Sequence, residues 1–262
     1  MSRIRSITSA VPRPRLAAAA ASTAAIVALG AGIAGAGTND SVLLGKTKNA
    51  PSPNCPEKKV PPGEPTTDKD VCQVTGQVTG YQRSADGEKG LFKVREDGKI
   101  VAWSVDLADP RKSERETFGE ASQTNQYGKS PTAGISIIRA ADGRDFKLKS
   151  SSPILPVRGF YGQKPVITLD EPLRVRKGDV VALTTATWLP AFSIKGQTRQ
   201  DAWIASRKEE DCEVPPEIPE EERTEYFFDH TAPHRKEGSE RPYECLYDSA
   251  RLLYWAYFVP NN

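Results

Sequence analysis

The chain is poor in the residues and spacings from which most active sites are assembled. Histidine occurs only at His230 and His234 in 262 residues. No G-x-S-x-G is present, so the strained elbow that exposes a nucleophilic serine is missing. A Ser-His-Asp arrangement would have to recruit one of those two histidines with an unmarked serine. No C-x-x-C pair of the zinc-binding kind occurs. Convincing helical periodicity is absent as well, which argues against a helical body. Charge of one sign is lacking too: 36 Lys+Arg stand against 34 Asp+Glu. Arg3, Arg5, Arg13 and Arg15 belong to an acid-free leader, so the rest of the chain is slightly acidic. That balance gives no electrostatic case for nucleic acid or for an anionic membrane.

What is present begins with an export signature. Residues 1–15 are basic, and 16–36 run as Ala, Gly, Ile, Val and Leu, interrupted only by Ser22 and Thr23. Ala34-Gly35-Ala36 closes the run with an A-x-A end, which predicts a signal peptide over 1–36. The competing reading is an uncleaved membrane anchor, since the run is long enough to span. Its Ala and Gly content, which gains little from lipid, favours cleavage. No twin-arginine pair precedes the run, and no cysteine follows it closely enough for a lipid anchor. The four cysteines, Cys55, Cys72, Cys212 and Cys245, then read as disulfides. Three connectivities exist, and spacing favours Cys55–Cys72 with Cys212–Cys245. The second bridge would restrict the unfolded chain by ~3 to 4 kcal/mol.

Residues 37–70 are rich in Pro, Lys, Ser and Thr and read as a linker or stalk, with ordered structure expected from near Val71. Beyond it the dominant period is two. Val101, Trp103, Val105 and Leu107 alternate with Ala102, Ser104 and Asp106. Ile135 and Ile137 lead through Ala141-Asp142-Gly143-Arg144 into Phe146 and Leu148. Leu173 and Val175 lead through Lys177-Gly178-Asp179 into 180–183. Asp-Gly and Gly-Asp turns between such runs predict hairpins, as does Asp97-Gly98 between 91–94 and 100–107. The closing run L-L-Y-W-A-Y-F-V (252–259) is apolar on both faces and is expected to lie centrally. About nine strands are expected in a single domain over 71–262. The predicted class is all-β: an antiparallel β-sandwich, jelly-roll-like, with long loops and little helix. Polar excursions at 108–131 and 207–248 interrupt it, the second closed by its disulfide.

Candidate chemistry is sparse. His230 and His234, four apart, offer two imidazoles to one metal with Asp229 or Glu225 as a third ligand. Pro233 between them breaks the helix that spacing needs, so no metal is assigned. A carboxylate pair needs no local motif, and Asp106, Asp109, Glu114, Glu116, Glu120 and the acids of 209–225 are the available groups. Asp142 and Asp145 lack the long oxygen-ligand loop of a calcium site and read as a hairpin turn. Aromatic loops carry more: Phe160 and Tyr161 in a Gly-bracketed loop, and Trp188 and Phe192 where strand gives way to loop. Aromatics at a sandwich rim stack on sugars or anchor protein partners. Trp103, Trp203 and Trp255 lie within strands and are assigned to the core.

The segments V-A-W-S-V (101–105) and P-L-R-V-R-K-G-D-V-V-A-L (172–183) resemble exported β-sandwich proteins of high-GC bacteria, including jelly-roll and carbohydrate-binding modules. The resemblance spans roughly residues 71–206. It implies a sandwich fold and a non-enzymatic role at the cell surface or outside the cell, and it carries over no catalytic residue.

Together these features point to a secreted or cell-surface, non-catalytic module. Its expected ligand is a glycan polymer or an extracellular protein, bound through Phe160, Tyr161, Trp188 and Phe192 without a cofactor. A secreted carbohydrate-active hydrolase using paired carboxylates and a ligand-free structural envelope protein are the alternatives. A flat exposed aromatic platform marks the first reading, facing carboxylates across a cleft the second, and buried Trp188 and Phe192 the third.

Overall fold

The computed structural model describes residues 41–55, 72–116, 118, 130–194, 200–219, 222, 226 and 230–261. The predicted leader at 1–36, residues 56–71 of the Pro-rich stretch and parts of both excursions, with Glu120, Glu225 and Asp229, lie outside them.

Alternation produces what it predicts, a mostly β chain built from antiparallel sheets in a sandwich-like arrangement. The smaller sheet orders β1 (Val42–Leu44), β15 (Tyr254–Pro260), β4 (Gly98–Val105) and β8 (Val166–Val175). The larger orders β12 (Glu240–Pro242), β6 (Asp145–Ser151), β5 (Thr132–Ala140), β9 (Val180–Thr185), β2 (Val78–Ala85), β11 (Ala202–Ala205) and β13 (Cys245–Asp248). Short strands β3 (Glu88–Lys89) and β7 (Leu155–Pro156) attach to β2 and β5, and β10 (Phe192–Ser193) pairs with β14 (Arg251–Leu252). Among the described residues the helices seen in full are single turns such as Lys112–Arg115.

The core joins the two sheets. Ile100, Trp103 and Val105 of β4, with Tyr254, Ala256 and Phe258 of β15, belong to one buried cluster with Ile135, Ile137, Val181, Leu183 and Ala205 of the larger sheet. Tyr254 stacks on Phe92 at 4.1 Å between ring centroids. Its hydroxyl donates to the Val181 carbonyl at 2.9 Å, so its polar tip is satisfied inside the core. The apolar run at 252–259 is indeed central: β15 lies between β1 and β4, and Leu252 to Ala256 are all buried.

The larger sheet is curled. Its edge strands β12 and β13 stand at opposite ends of the strand order, yet only Tyr243 and Glu244 separate them in the chain. The chain therefore crosses directly from one end of the sheet to the other. At this seam Tyr243 is buried against Phe146 at 4.9 Å and Tyr81 at 6.3 Å between centroids. Its backbone N–H donates to the Arg144 carbonyl, while that of Glu244 donates to Arg207.

Three expectations need correction. Order begins before Val71: β1 pairs with β15, Leu44 is buried, and the Asn54 N–H donates to the Phe192 carbonyl at 2.8 Å. The Pro-rich composition concealed this because the segment is held by partners some two hundred residues away. Lys177-Gly178-Asp179 is not a hairpin, for β8 pairs with β4 while β9 pairs with β5 and β2. The turn carries the chain between sheets. Asp179, 1% exposed, accepts from Arg139 Nε at 2.7 Å and Nη2 at 3.0 Å and from the Arg176 N–H at 2.8 Å. Asp97-Gly98 likewise leads into β4, whose partners are β15 and β8, and the preceding 91–94 makes only a bridge from Lys93 to Val180. Asp142-Gly143 alone behaves as predicted, closing the β5–β6 hairpin with Gly143 at φ +62°.

Both favoured disulfides are present, Cys55–Cys72 and Cys212–Cys245. The second ties the excursion to β13 beside β11, and Tyr247 donates its hydroxyl to the Cys212 carbonyl at 2.8 Å.

Candidate functional site

The aromatic surface expected from the sequence does not assemble as a platform. Trp188 is fully buried, roofed by Tyr161 at 6.3 Å and Phe118 at 5.4 Å between ring centroids. Arg115 lies over the outer face of this group, 5.3 Å from the Tyr161 centroid. Phe192 is half-buried in β10, edge-on to Trp203 at 6.0 Å. Phe160 and Tyr161 sit half-buried at a single 3-10 turn, with Phe160 packed on the core cluster. Trp188 is thus a core residue, because rings from two distant loops close over it. Trp103, Trp203 and Trp255 are buried as expected.

His234 is a structural histidine. It is fully buried, and its Nε2 faces the Ser239 carbonyl at 3.1 Å while Nδ1 faces the Tyr243 hydroxyl at 3.2 Å. A carbonyl only accepts, so Nε2 carries the proton and Nδ1 receives the tyrosine hydroxyl. Burial, reinforced by Arg241, depresses its pKa below 6.5. With both ring nitrogens engaged, none remains for a metal. His230 is exposed, stacks on Tyr226 at 3.9 Å and points Nδ1 at the Tyr226 carbonyl. Among the described residues no group of three His, Cys, Asp or Glu side chains could hold a metal ion.

Among the described residues, candidate acids stand beside cations. Glu114 is bonded to Arg111, and Glu116 lies 3.7 Å from Lys112, both within one helical turn. Asp106 is half-buried beside Lys164, and desolvation raises its pKa while Lys164 opposes the rise. Lys164 in turn stands 3.2 Å over the Trp255 ring, with its own pKa lowered by desolvation.

A further concavity among the described residues lies elsewhere, beside the edge strand of the smaller sheet. A groove of about 600 Å³ runs between β8 and the turn joining β6 to β7. Ile167, Leu169 and Leu173 form one wall, Pro153 and Leu155 the other, and Trp103 lines the floor. The three β8 residues point inward by strand alternation, yet remain half-exposed because β8 is the edge strand of its sheet. Leu155 is 36% exposed. Among the described residues the buried Trp103 Nε1–H has no hydrogen-bond acceptor. Trp188 and Trp203 share this feature, but neither lines the groove.

The groove continues into a second hollow of about 430 Å³, through shared walls at Glu171 and Leu173. Here Lys149 from β6 and Arg174 and Arg176 from the β8 side stand against Glu171, while Arg139 is engaged by Asp179. One end is therefore apolar and the other cationic, with Asp170 and Glu171 between them. Sequence reading missed this site. Its residues look like ordinary strand positions, and nothing local reveals that β8 is an edge.

No family model matches the chain, and no curated protein or solved structure matches it either.

Proposed function

We propose that this chain is an exported, non-catalytic binding module whose β8-side groove holds an extended, partly acidic segment of a protein partner outside the cytoplasm. The observation that carries the reading is a half-exposed apolar groove lying beside an edge strand, with a cationic hollow at its end. An extended polypeptide supplies what such a site can use: alternate apolar side chains for the wall pockets, and backbone groups for the edge at 166–169. The volume lies within the ~300–1,000 Å³ usual for ligand sites. Lys149, Arg174 and Arg176 set polarity, drawing acidic residues to one end, while Asp170 and Glu171 repel them from the apolar half.

A glycan is the weaker fit, because sugar stacking needs exposed ring faces and Trp103, Trp188, Trp203 and Trp255 are all buried. Export is supported by the leader pattern together with the two disulfides, which persist in oxidising compartments.

The test is fluorescence anisotropy on the full chain. The probes are labelled octapeptides, apolar at alternate positions and ending in Glu-Glu or in Lys-Lys. Glu-ended peptides should bind the wild type at least about ten-fold more tightly than Lys-ended ones. Leu155→Asp, at a partly exposed wall position, should abolish the signal while leaving the thermal melt in place. Absence of binding by every peptide, or undiminished binding by Leu155→Asp, would overturn the reading.

A further inference from the structure

A cavity of about 260 Å³ opens where two strands of the larger sheet separate. β2 pairs with β9 only through Val78–Gly80 and Leu183–Thr185, after which the two diverge. Residues 90–93 enter the gap: the Val181 N–H donates to the Phe92 carbonyl at 3.0 Å, and Lys93 bridges to Val180. We propose that this cavity binds a small aromatic carboxylate, with the ring inside and the carboxylate at the mouth. The proposal is independent of the groove beside β8, with which the cavity shares no lining residue.

The interior is made of rings. Tyr81 from β2, Phe92 from the inserted segment and Phe146 from β6 line it. Phe92 is held from behind by Tyr254, stacked at 4.1 Å between centroids. Tyr81 and Phe146 stand 5.5 Å apart, tilted by 57°. Both pack on the core cluster yet remain half-buried. Rings at such tilts offer edges and faces to one further ring. Ala140 and Gly178 complete the wall without filling the space. The volume falls just under the ~300–1,000 Å³ usual for small-molecule sites, which suits a single ring better than a polymer.

The mouth is cationic. Arg83, Lys89 and Lys93 line it, all three exposed, and none has an ion-pair partner among the described residues. Burial raises the Tyr81 phenol pKa and Arg83 opposes the rise, so the guanidinium charge is felt at the tip of that ring. No acid lines the cavity among the described residues. Acids on the surrounding elements are engaged or turned away. Asp179 accepts from Arg139 and from the Arg176 N–H, and Asp86 pairs with Arg251. Glu88 lies on the face of β3 opposite to Lys89 by alternation.

The residues outside the described set leave this balance in place. Residues 195–199 precede Gln200, whose carbonyl accepts the Gly87 N–H, and they contain Lys195 and Arg199 but no acid. The acid-bearing runs 56–71 and 119–129 rejoin the described chain before β2 and β5, whereas the cavity lies toward the far ends of both strands. Residues 1–40 rejoin it at β1, in the smaller sheet. The run ending at Asp229 rejoins it at His230, in a hollow that shares no lining residue with the cavity. A cationic mouth over an aromatic interior repels an amine and leaves a neutral ring without an anchor, while a carboxylate uses both parts.

The test uses the full chain with phenylacetate, phenylethanol, phenylethylamine and hexanoate as probes. Isothermal titration calorimetry at fixed ionic strength gives affinity, and proton–nitrogen NMR spectra give location. Phenylacetate should bind saturably, about ten-fold or more tightly than the alcohol, with no binding of the amine. Hexanoate, which keeps the charge and lacks the ring, should bind several-fold more weakly than phenylacetate. Amide shifts should be largest around Gly90 and Gly178. Ala140→Phe, at an exposed position paired with Phe146, fills the space and should abolish binding. Arg83→Gln, Lys89→Gln and Lys93→Gln should each weaken it by about two- to five-fold, as exposed ion pairs do, and together by about ten-fold or more. Lys99→Gln, at an exposed position of β4 outside the cavity, should change nothing. A thermal melt accompanies each variant, and the probe series on the wild type decides the matter if Ala140→Phe proves unstable. Lack of saturable phenylacetate binding would overturn the proposal, as would equal binding of the alcohol or of hexanoate. So would amide shifts centred elsewhere, or undiminished binding by folded Ala140→Phe or by the triple variant.

Discussion

The two sheets deal with their edges in opposite ways. In the larger sheet β12 and β13, at the two ends of the strand order, are joined through Tyr243-Glu244, and Tyr243 fills the seam beside Tyr81, Phe146 and His234. The smaller sheet ends at β8, whose far side has no strand partner among the described residues. That edge is blunted instead of covered. Asp170, Glu171 and Pro172 lie within the register shift between the Ile100–Leu173 and Ala102–Thr168 pairs, so charge, proline and a bulge coincide. These are the devices by which exposed strands avoid pairing with copies of themselves. Only 166–169 and the inward residues behind them stay open, and the groove is found there. Closure gives one sheet stability, and partial protection leaves the other a usable surface.

The largest expected effect comes from breaking the closed side. Tyr243→Ala would remove a ring that is 3% exposed and packed on two other aromatics. Large-to-small changes of this kind cost about 3–5 kcal/mol, which should appear as a clear fall in the urea midpoint. A cost below ~1 kcal/mol would mean that the seam is ornamental. Next in size is Asp179→Ala, at the turn between the sheets. It strips the bidentate partner from Arg139 and an acceptor from the Arg176 N–H. A loss of about 2–3 kcal/mol is expected, with the β8 groove distorted as well, since Asp179 lines its cationic end.

These same residues show what could be read in the sequence. The all-β class was legible because alternation is local: each buried Ile, Val or Trp of β4 and β5 announces its face within a few positions. The disulfide pairs were legible from spacing and from the leader pattern of the sequence. Partnership between strands was not. Lys177-Gly178-Asp179 and Asp142-Gly143 have equivalent turn chemistry, yet only the second joins paired strands, because pairing depends on which distant strand is free. The fate of Trp188 was hidden for the same reason, its cover arriving from Tyr161 and Phe118. The groove was invisible because edge position belongs to the whole sheet.

A pH series sharpens the contrast at the seam. His234 has a folded-state pKa lowered from 6.5, so below that value the unfolded chain binds more protons than the folded one. Stability from this group is therefore complete above about pH 6.5 and lost as pH falls from there toward the folded pKa. Urea denaturation between pH 7.5 and 5 should show stability declining with acidification. In His234→Gln the decline should be shallower over the same range, despite a lower starting value. Equal slopes in the two proteins would show that other groups govern the acid response, and that the seam titrates without consequence.

The smallest effect on stability, and the most direct probe of the open side, is removal of the blunting. Asp170→Thr combined with Pro172→Val would restore an N–H and a β-prone side chain to β8 while touching only exposed positions. Such changes usually stay within about 0.5 kcal/mol, so the melting temperature should barely move. Sedimentation velocity should nevertheless report concentration-dependent dimers absent from the wild type, because a flatter edge can pair with a second copy. If the doubly substituted chain remains as monodisperse as its parent, charge and proline are not what guards this edge. The half-exposed apolar wall behind β8 would then need some other reason for resisting self-association, and the distinction between a sealed sheet and a guarded one would no longer hold.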